Sequence, residues 1–382
     1  MFEKVRIIRY IGNKTNLYNF IVPEILKELD TKENFYEFFS GTNAISFKIN
    51  EEKKYNIYAN DISLYSQIIF EILNIRINDI DVEKLVSFMK YIDNINIETL
   101  IKKLNISDFD ITNELSMGGI PKTINKDIFK NQEYKSRMYF PYVIGQKIDV
   151  IRYLLKVNNL FSLNEKEKIL ILNMLLNYAD KHANTTGVYG AFLKKNKVTK
   201  FKPFYNKTLF NEIIKYIEKY NNTDTIQKQF FRNDVLNVIQ DNNINDAVIY
   251  MDPPYNTRDY QTNYHILNYI VNLDFTYKDI KPNSKTAVPR NELRIKNISS
   301  SKDKIYENLK FILKKLNIRK NNNTVFVSYS SEGILSLDDY KKIAKELKYN
   351  INIKKQKYRK YKSQIKSKEW DNKVEEYLIK FY

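Results

Sequence analysis

Apolar and polar positions along this chain change their rhythm twice. Near the N-terminus they follow a strand, turn, helix, strand order. Asn34–Phe39 reads as a short aromatic strand, Ser40–Asn43 as a turn, and Ala44 to about Glu51 as a helix. Tyr55–Ala59 reads as a second strand whose segment ends at Asp61, and Leu64–Asn74 as a helix again. From about Ile80 to Thr225 helical periodicities dominate, as in Lys147–Leu155 and Glu165–Tyr178, separated by loops such as Met117-Gly118-Gly119 and Asn184–Gly190. The first rhythm then resumes. Gln229–Asn233 predicts a strand ending at Asp234, Ala247–Met251 an apolar strand ending at Asp252, and Thr324–Tyr329 a later strand. A basic run, Lys354–Lys368, precedes a final apolar strand, Val374–Phe381. No internal repeat is visible, and Asn/Lys-rich patches such as Arg319–Asn323 read as loops.

This order predicts a discontinuous α/β domain, residues 1–79 and 226–382, interrupted by a largely helical insertion, residues 80–225. An acid following each of several strands suits a nucleotide-type site at the carboxyl ends of parallel strands.

Composition narrows the chemistry. The chain has 382 residues, 43% of them hydrophobic, enough to bury a sizeable core. It contains no stretch of ~18 uninterrupted apolar residues, so no membrane span is expected, and the start MFEKVRIIRYIGNK is not read as a signal peptide. A cytoplasmic protein is the expectation. There are no cysteines, so disulfides and thiolate metal sites are excluded. With only His182 and His265, no metal site is expected. The missing thiol also argues against methylation chemistry at cytosine C5, which ordinarily needs a cysteine nucleophile. Lys plus Arg number 63 against 45 Asp plus Glu, a net charge of +18. That balance fits a polyanionic partner, and fits equally a protein from a Lys-, Asn- and Ile-rich proteome. The 30 tyrosines and 22 phenylalanines tilt the balance towards nucleic acid, since aromatic faces stack on bases.

The sharpest signal is Asp252-Pro253-Pro254-Tyr255, directly after the apolar run Ala247–Met251. Two prolines end the ladder, so a carboxylate and an aromatic ring are left at the strand's end. The exocyclic amine of adenine is a poor nucleophile because its lone pair is delocalised into the ring. A carboxylate and a prolyl carbonyl that accept its hydrogens favour a pyramidal nitrogen. Tyr255 is then placed to stack on an extruded base. The alternative, a β-turn with two prolines, explains the tetrapeptide less well at this position.

Here the sequence resembles the D12-class N6-adenine DNA methyltransferases, the alpha group with Dam-like motif order, in a restriction-modification branch. The resemblance covers most of both α/β segments, about half the chain. Arg9-Tyr10-Ile11-Gly12-Asn13-Lys14 is similar to the family's first motif, which implies that Tyr10 and Lys14 touch the cofactor. Phe35–Asn43 is similar to its glycine loop, so Phe39 and Gly41 are expected beside the methionine part of the cofactor. Asn43 stands where the family has a second glycine, and Asn tolerates the left-handed backbone better than most residues. Asp61 falls where an acid binds the ribose hydroxyls, and reads also as a helix N-cap. Asp234 is similar to the acid that contacts the cofactor's adenine amine, and reads also as the cap of a helix over Val235–Ile239. Asp252 is implied to touch cofactor as well as substrate. The segment Asn256–His265 resembles the region following the catalytic motif, with His265 expected to open a helix rather than act as a base. Val325–Gly333 resembles a strand and turn that shape the base pocket.

The resemblance implies a Rossmann-like α/β fold with a mostly parallel seven-stranded methyltransferase sheet, the helical insertion serving target recognition. It implies S-adenosyl-L-methionine as cofactor, double-stranded DNA as substrate and a possible cognate restriction endonuclease as functional partner. In the insertion, Asn184, Thr185, Tyr189, Lys194 and Lys195 are expected to reach a DNA groove, although an exposed loop explains the segment too. Arg9 and Arg258 are further DNA-binding candidates. In the basic run, Lys357 and Arg359 line a DNA cleft or belong to a solvated strand or hairpin. Rival readings are amino-methylation of cytosine N4 or of RNA, and a basic DNA-binding module without catalysis. The Asp at position 252 favours adenine over cytosine, where Ser is more usual, and the intact tetrapeptide disfavours the inactive module.

Overall fold

The computed structural model describes residues 7–96, 99–100, 139–157, 160–193, 202–222, 226–254, 260–274, 301–359 and 373–382. These form a mixed α/β fold divided into two compact units. One draws on the described residues of Gly12–Asn74, Thr223–Asp259 and Ile295–Tyr382, the other on those of Met1–Ile11, Ile75–Asn222 and Tyr260–Arg294.

The first unit is built on a seven-stranded sheet. Its strands are β1 (Asn34–Phe38), β2 (Asn56–Asn60), β3 (Lys228–Phe231), β4 (Ala247–Met251), β5 (Thr324–Ser330), β6 (Ile351–Arg359) and β7 (Lys373–Phe381). They lie in the order β3-β2-β1-β4-β5-β7-β6. The pairs β1–β2, β1–β4, β2–β3 and β4–β5 are parallel, and β7 runs antiparallel to both β5 and β6. All five residues of β4 and all seven of β5 are buried. A strand covered on both faces needs no polar side, which is why Ala247–Met251 is a continuous apolar run.

The period-two alternation sorts each strand's side chains onto two faces. On one face Phe38, Ile249, Met251, Val325, Val327 and Ile379 join a core closed by the helices Val235–Asp241, Lys302–Leu316 and Leu337–Leu347. The opposite face carries Glu37, Tyr250, Ser328 and Glu376, with the helix Ala44–Asn50 on its side: Ser46 of that helix donates both its amide and its hydroxyl to Glu37 Oε2, at 2.7 and 2.5 Å. The helix Tyr18–Leu29 contacts β4 and Ala44–Asn50. Burial pushes the Glu37 carboxyl up to about 7, and the Ser46 donors oppose the shift.

β6 is an edge strand. The basic run from Lys354 therefore begins inside the sheet, with Lys354 Nζ 2.7 Å from Glu24 Oε2 and Lys355 and Lys357 exposed. Lysines on an edge deter pairing with another chain.

The second unit is helical, with Val82–Asn94, Tyr142–Val157, Glu165–His182, Lys207–Tyr220 and Tyr260–Val271. Glu165–His182 starts with a capping box between Asn164 and Glu167. Lys147, buried, pairs with Asp93 at 2.9 Å, and Asp93 also accepts the amides of Phe204 and Tyr205. His265 does not open a helix. It lies within Tyr260–Val271, 1% exposed, its Nδ1 2.8 Å from the Thr262 carbonyl, because the helix begins five residues earlier than the polar run suggests. No helix among the described residues is long and apolar enough to cross a membrane.

Candidate active site

In the sheet, β1 has β2 on one side and β4 on the other, so the strand order reverses between β1 and β4. The carboxyl ends of those two strands flank the crevice where open α/β sheets place their ligands. The turn after β1 sits there, and three of its five positions have positive φ: Phe39 (57°), Gly41 (52°) and Asn43 (57°). For an aromatic residue this conformation is an outlier, and strain of that kind is retained at functional sites. Asn43 takes the left-handed conformation expected of a glycine substitute, with φ 57° and ψ 30°. Its side chain is fully buried and donates to the Ser66 carbonyl at 2.8 Å, fixing the turn to the helix Leu64–Phe70.

Asp61, just past β2, accepts the amide of Gly41 at 3.0 Å and that of Ser63 at 2.9 Å. Ser63, not Asp61, is the N-cap of Leu64–Phe70, so the simple capping alternative does not hold. Burial raises the Asp61 carboxyl above its ordinary range, and the Ser63 and Gly41 amides pull it back. Asn60 donates to the carbonyls of Phe231 and Asn233, both at 2.8 Å, tying the end of β2 to the end of β3. Asp234 follows there. It caps Val235–Asp241, accepting the Leu236 amide at 2.8 Å, so its structural reading holds whatever else it does.

Asp252 ends β4, its amide 3.3 Å from the Phe38 carbonyl of β1. Its side chain keeps 21% of its surface exposed. Lys14, from the 3-10 turn Lys14–Leu17, is 5% exposed and points its ammonium at two carboxylates. Nζ stands 3.2 Å from Asp252 Oδ1 and 2.7 Å from Glu376 Oε1. The Glu376 contact is the closer of the two. Burial pushes the Asp252 carboxyl up to about 6, the Lys14 charge opposing the shift and Glu376 adding to it. Asn13 donates to Thr42 at 3.3 Å, which anchors the Lys14 turn to the loop after β1.

One unit thus brings together Lys14, Phe39, Gly41, Asp61, Asp234, Asp252 and Pro253 at the carboxyl end of the sheet, with Pro254 exposed beside them. Tyr255 and Arg258 lie outside the described residues. Two residues at the site escaped sequence reasoning. Glu376 is wholly buried in β7, and Ser328, wholly buried in β5, donates to its Oε1 at 2.6 Å. Glu375 and Glu376 stand side by side in β7 and nothing in the local sequence marks the second as buried; Lys14 and Ser328 account for it.

The remaining candidates belong to the helical unit or to the sheet edge. Tyr10 stacks on Tyr264, centroids 4.6 Å apart, and Tyr264 accepts the Ile11 amide. Arg9 is held by Asp180: its amide and Nε reach Oδ2 at 2.9 and 3.0 Å, and its guanidinium reaches the Asp180 carbonyl. Arg9, a DNA-binding candidate, is thus held by Asp180 while 40% of its side chain stays exposed. Tyr189 is corrected outright. It is 0% exposed, packed against Tyr139 and Phe140, and serves the core of the helical unit. Asn184 is buried too and staples its own loop, exchanging hydrogen bonds with the Leu193 backbone. Thr185 accepts the Gly187 amide at 3.2 Å and stays half-buried. Lys194, Lys195 and the Arg359 side chain lie outside the described residues, while Lys357 is exposed on β6. In the β5 turn, a side chain on Gly333 would overlap the ring of Tyr329, whose hydroxyl accepts the Leu335 amide at 2.7 Å.

Comparison with known proteins gives this geometry a context. Residues 10–343 match the family described as D12 class N6 adenine-specific DNA methyltransferase. The chain is 29% identical to the type II methyltransferase M.CviAII of Paramecium bursaria Chlorella virus 1, over 98% of each protein. It is 30% identical to M.FokI of Planomicrobium okeanokoites over 97% of this chain, which spans 52% of that protein. It is 27% identical to M.NlaIII of Neisseria lactamica over 90% of each.

Proposed function

The chain belongs to the D12 class of N6 adenine-specific DNA methyltransferases, and from that premise we propose that it methylates adenine N6 at a specific site in double-stranded DNA, taking the methyl group from S-adenosyl-L-methionine. The observation that carries this reading is Asp252, a half-open carboxylate with a raised pKa at the end of β4, beside the strand-order reversal.

The residues fit such a cofactor. Left-handed backbone at Phe39 and Gly41 lets the main chain approach a ligand closely, and Asp61, oriented by two amides, suits a ribose diol. Asp234 suits the adenine amine. When bound, the cofactor supplies an electrophilic methyl on a sulfonium. The chain's part is to hold N6 in line with that methyl. Asp252 and the Pro253 carbonyl accept the amine hydrogens, which frees the nitrogen lone pair as the nitrogen turns pyramidal. Asp252, already accepting an N6 hydrogen, would be placed to take the proton that the nitrogen releases on methylation. Positioning supplies most of the acceleration, with no covalent intermediate on the protein. Tyr255 is assigned the stacking role for a flipped adenine. The helical unit is assigned target reading, and a restriction endonuclease of the same specificity is the expected functional counterpart.

The test is product identity. Double-stranded DNA incubated with the protein and methyl-labelled S-adenosyl-L-methionine, then digested to nucleosides, is expected to yield labelled N6-methyl-2′-deoxyadenosine. Label found only in N4- or C5-methylcytosine overturns the reading.

A further inference from the structure

One buried acid at the site has no task in the reaction as described. Glu376 is 0% exposed, near the start of the antiparallel strand β7. It lies on the same sheet face as Tyr250 and Ser328, one diagonal step from Ser328, whose direct partner in β7 is Leu378. Its Oε1 accepts from Ser328 Oγ at 2.6 Å and from Lys14 Nζ at 2.7 Å, and its Oε2 has no partner among the described residues. Burying a carboxylate half-satisfied in this way is costly, because its two hydrogen bonds offset only part of the desolvation. The same ammonium stands 3.2 Å from Asp252.

We infer that Glu376 is a positioning residue for methyl transfer: with Ser328 it holds the Lys14 ammonium in place between two carboxylates, so that Asp252 is oriented by that charge without being neutralised by it. The inference rests on the function proposed above. One ammonium facing one carboxylate would form a closed ion pair and weaken Asp252 as an acceptor for the adenine amine. One ammonium facing two carboxylates leaves the cluster with surplus negative charge. The shorter contact goes to Glu376, and the longer one to Asp252. The other groups facing Asp252 are Glu37 from β1 and the Tyr250 hydroxyl from β4. Burial drives that hydroxyl's pKa well upward, so it stays neutral. Glu376 raises the Asp252 pKa and Lys14 lowers it, so removing the Glu376 charge alone moves Asp252 downward.

The test uses the full chain with Glu376→Gln, which keeps the shape and the hydrogen-bonding atoms and removes the charge. Single-turnover methylation is measured against pH with saturating DNA and cofactor, beside equilibrium binding of each. Glu376→Gln is expected to lower the rate about tenfold, less than the ~10²-fold that a 1 Å misplacement costs. It is expected to shift the acid limb of the profile to lower pH by more than about 0.5 unit. Both dissociation constants should stay within about twofold of the parent. A purely structural glutamate would change stability and leave the limb where it was. A folded Glu376→Gln protein with an unmoved acid limb and a rate within about twofold of the parent overturns the inference. If that variant does not fold, Ser328→Ala decides: it should lower the rate at least threefold or so at unchanged affinities, and a parental rate overturns the inference. Failure of the parent protein to make N6-methyladenine at all refutes the function instead, so the two failures are distinguishable.

Discussion

Asn43, at the head of the helix Ala44–Asn50, offers a sharp test of the loop that follows β1, because its left-handed backbone should decide between two substitutions. The residue holds φ 57° and ψ 30°, is 0% exposed and donates to the Ser66 carbonyl at 2.8 Å. Asn43→Ala loses that hydrogen bond, worth about 0.5–1.5 kcal/mol net. It also puts a Cβ without a compensating polar group into the left-handed region, costing about 1–2 kcal/mol more. Asn43→Gly loses the same bond with no such strain, and its freer unfolded chain costs about 0.4–1 kcal/mol. The expected losses are then roughly 1.5–3.5 kcal/mol for Ala and 1–2.5 for Gly, leaving Gly ahead by about 0.5–1. In a helix interior the order would be the opposite, Ala favoured over Gly by about 1 kcal/mol. Urea denaturation of the three proteins, read at equal slopes, measures the difference, and calorimetric titration with cofactor should rank the affinities parent, Gly, Ala. An Ala variant as stable as Gly, or more so, refutes the claim that backbone conformation dictates this position.

Two further outcomes follow from side chains whose partners are known. Asp61→Asn should weaken cofactor binding by about 1–3 kcal/mol with the fold retained, since a charged acceptor is lost from a site otherwise unchanged in shape; unaltered affinity in calorimetry reduces Asp61 to a loop staple between Gly41 and Ser63. Tyr189→Phe should be neutral or stabilising by up to ~1 kcal/mol in denaturant titration, because the Tyr189 hydroxyl is buried without a hydrogen-bond partner among the described residues, and should leave the methylated target unchanged. A lost or altered target would return Tyr189 to DNA reading.

The sheet was legible where burial on both faces writes a continuous apolar run. β4 begins and ends at the residues the pattern predicts, and β1 and β5 differ by one residue at one end. The edge strand β6 was harder, since its exposed lysines carry no alternation and its pairing with β7 is what makes it a strand. Asp252 announced itself through the two prolines behind an apolar run. Glu376 did not, because its partner Lys14 lies 362 positions away and nothing local marks a glutamate as buried. Tyr189 and Asn184 misled for the opposite reason. A loop rich in small and polar residues suggests solvent, yet both side chains turn inward, Asn184 to staple the loop to Leu193 and Tyr189 to pack against Tyr139 and Phe140. His265 shows the limit of capping signals, since the polar residues before it continue the helix instead of starting it.

The most direct measurement of the account is single-turnover methyl transfer by Asp252→Ala at saturating DNA and cofactor. Asp252 is the carboxylate at the end of the central buried strand, and its contact with the amine should strengthen as the nitrogen becomes pyramidal. Its loss should therefore fall on the rate rather than on DNA affinity. The account predicts a rate at least ~10²-fold below the parent, the scale for removing a preorganised electrostatic contact, with DNA binding retained. A rate within about tenfold of the parent would contradict the assignment of Asp252 as the group that engages the adenine amine.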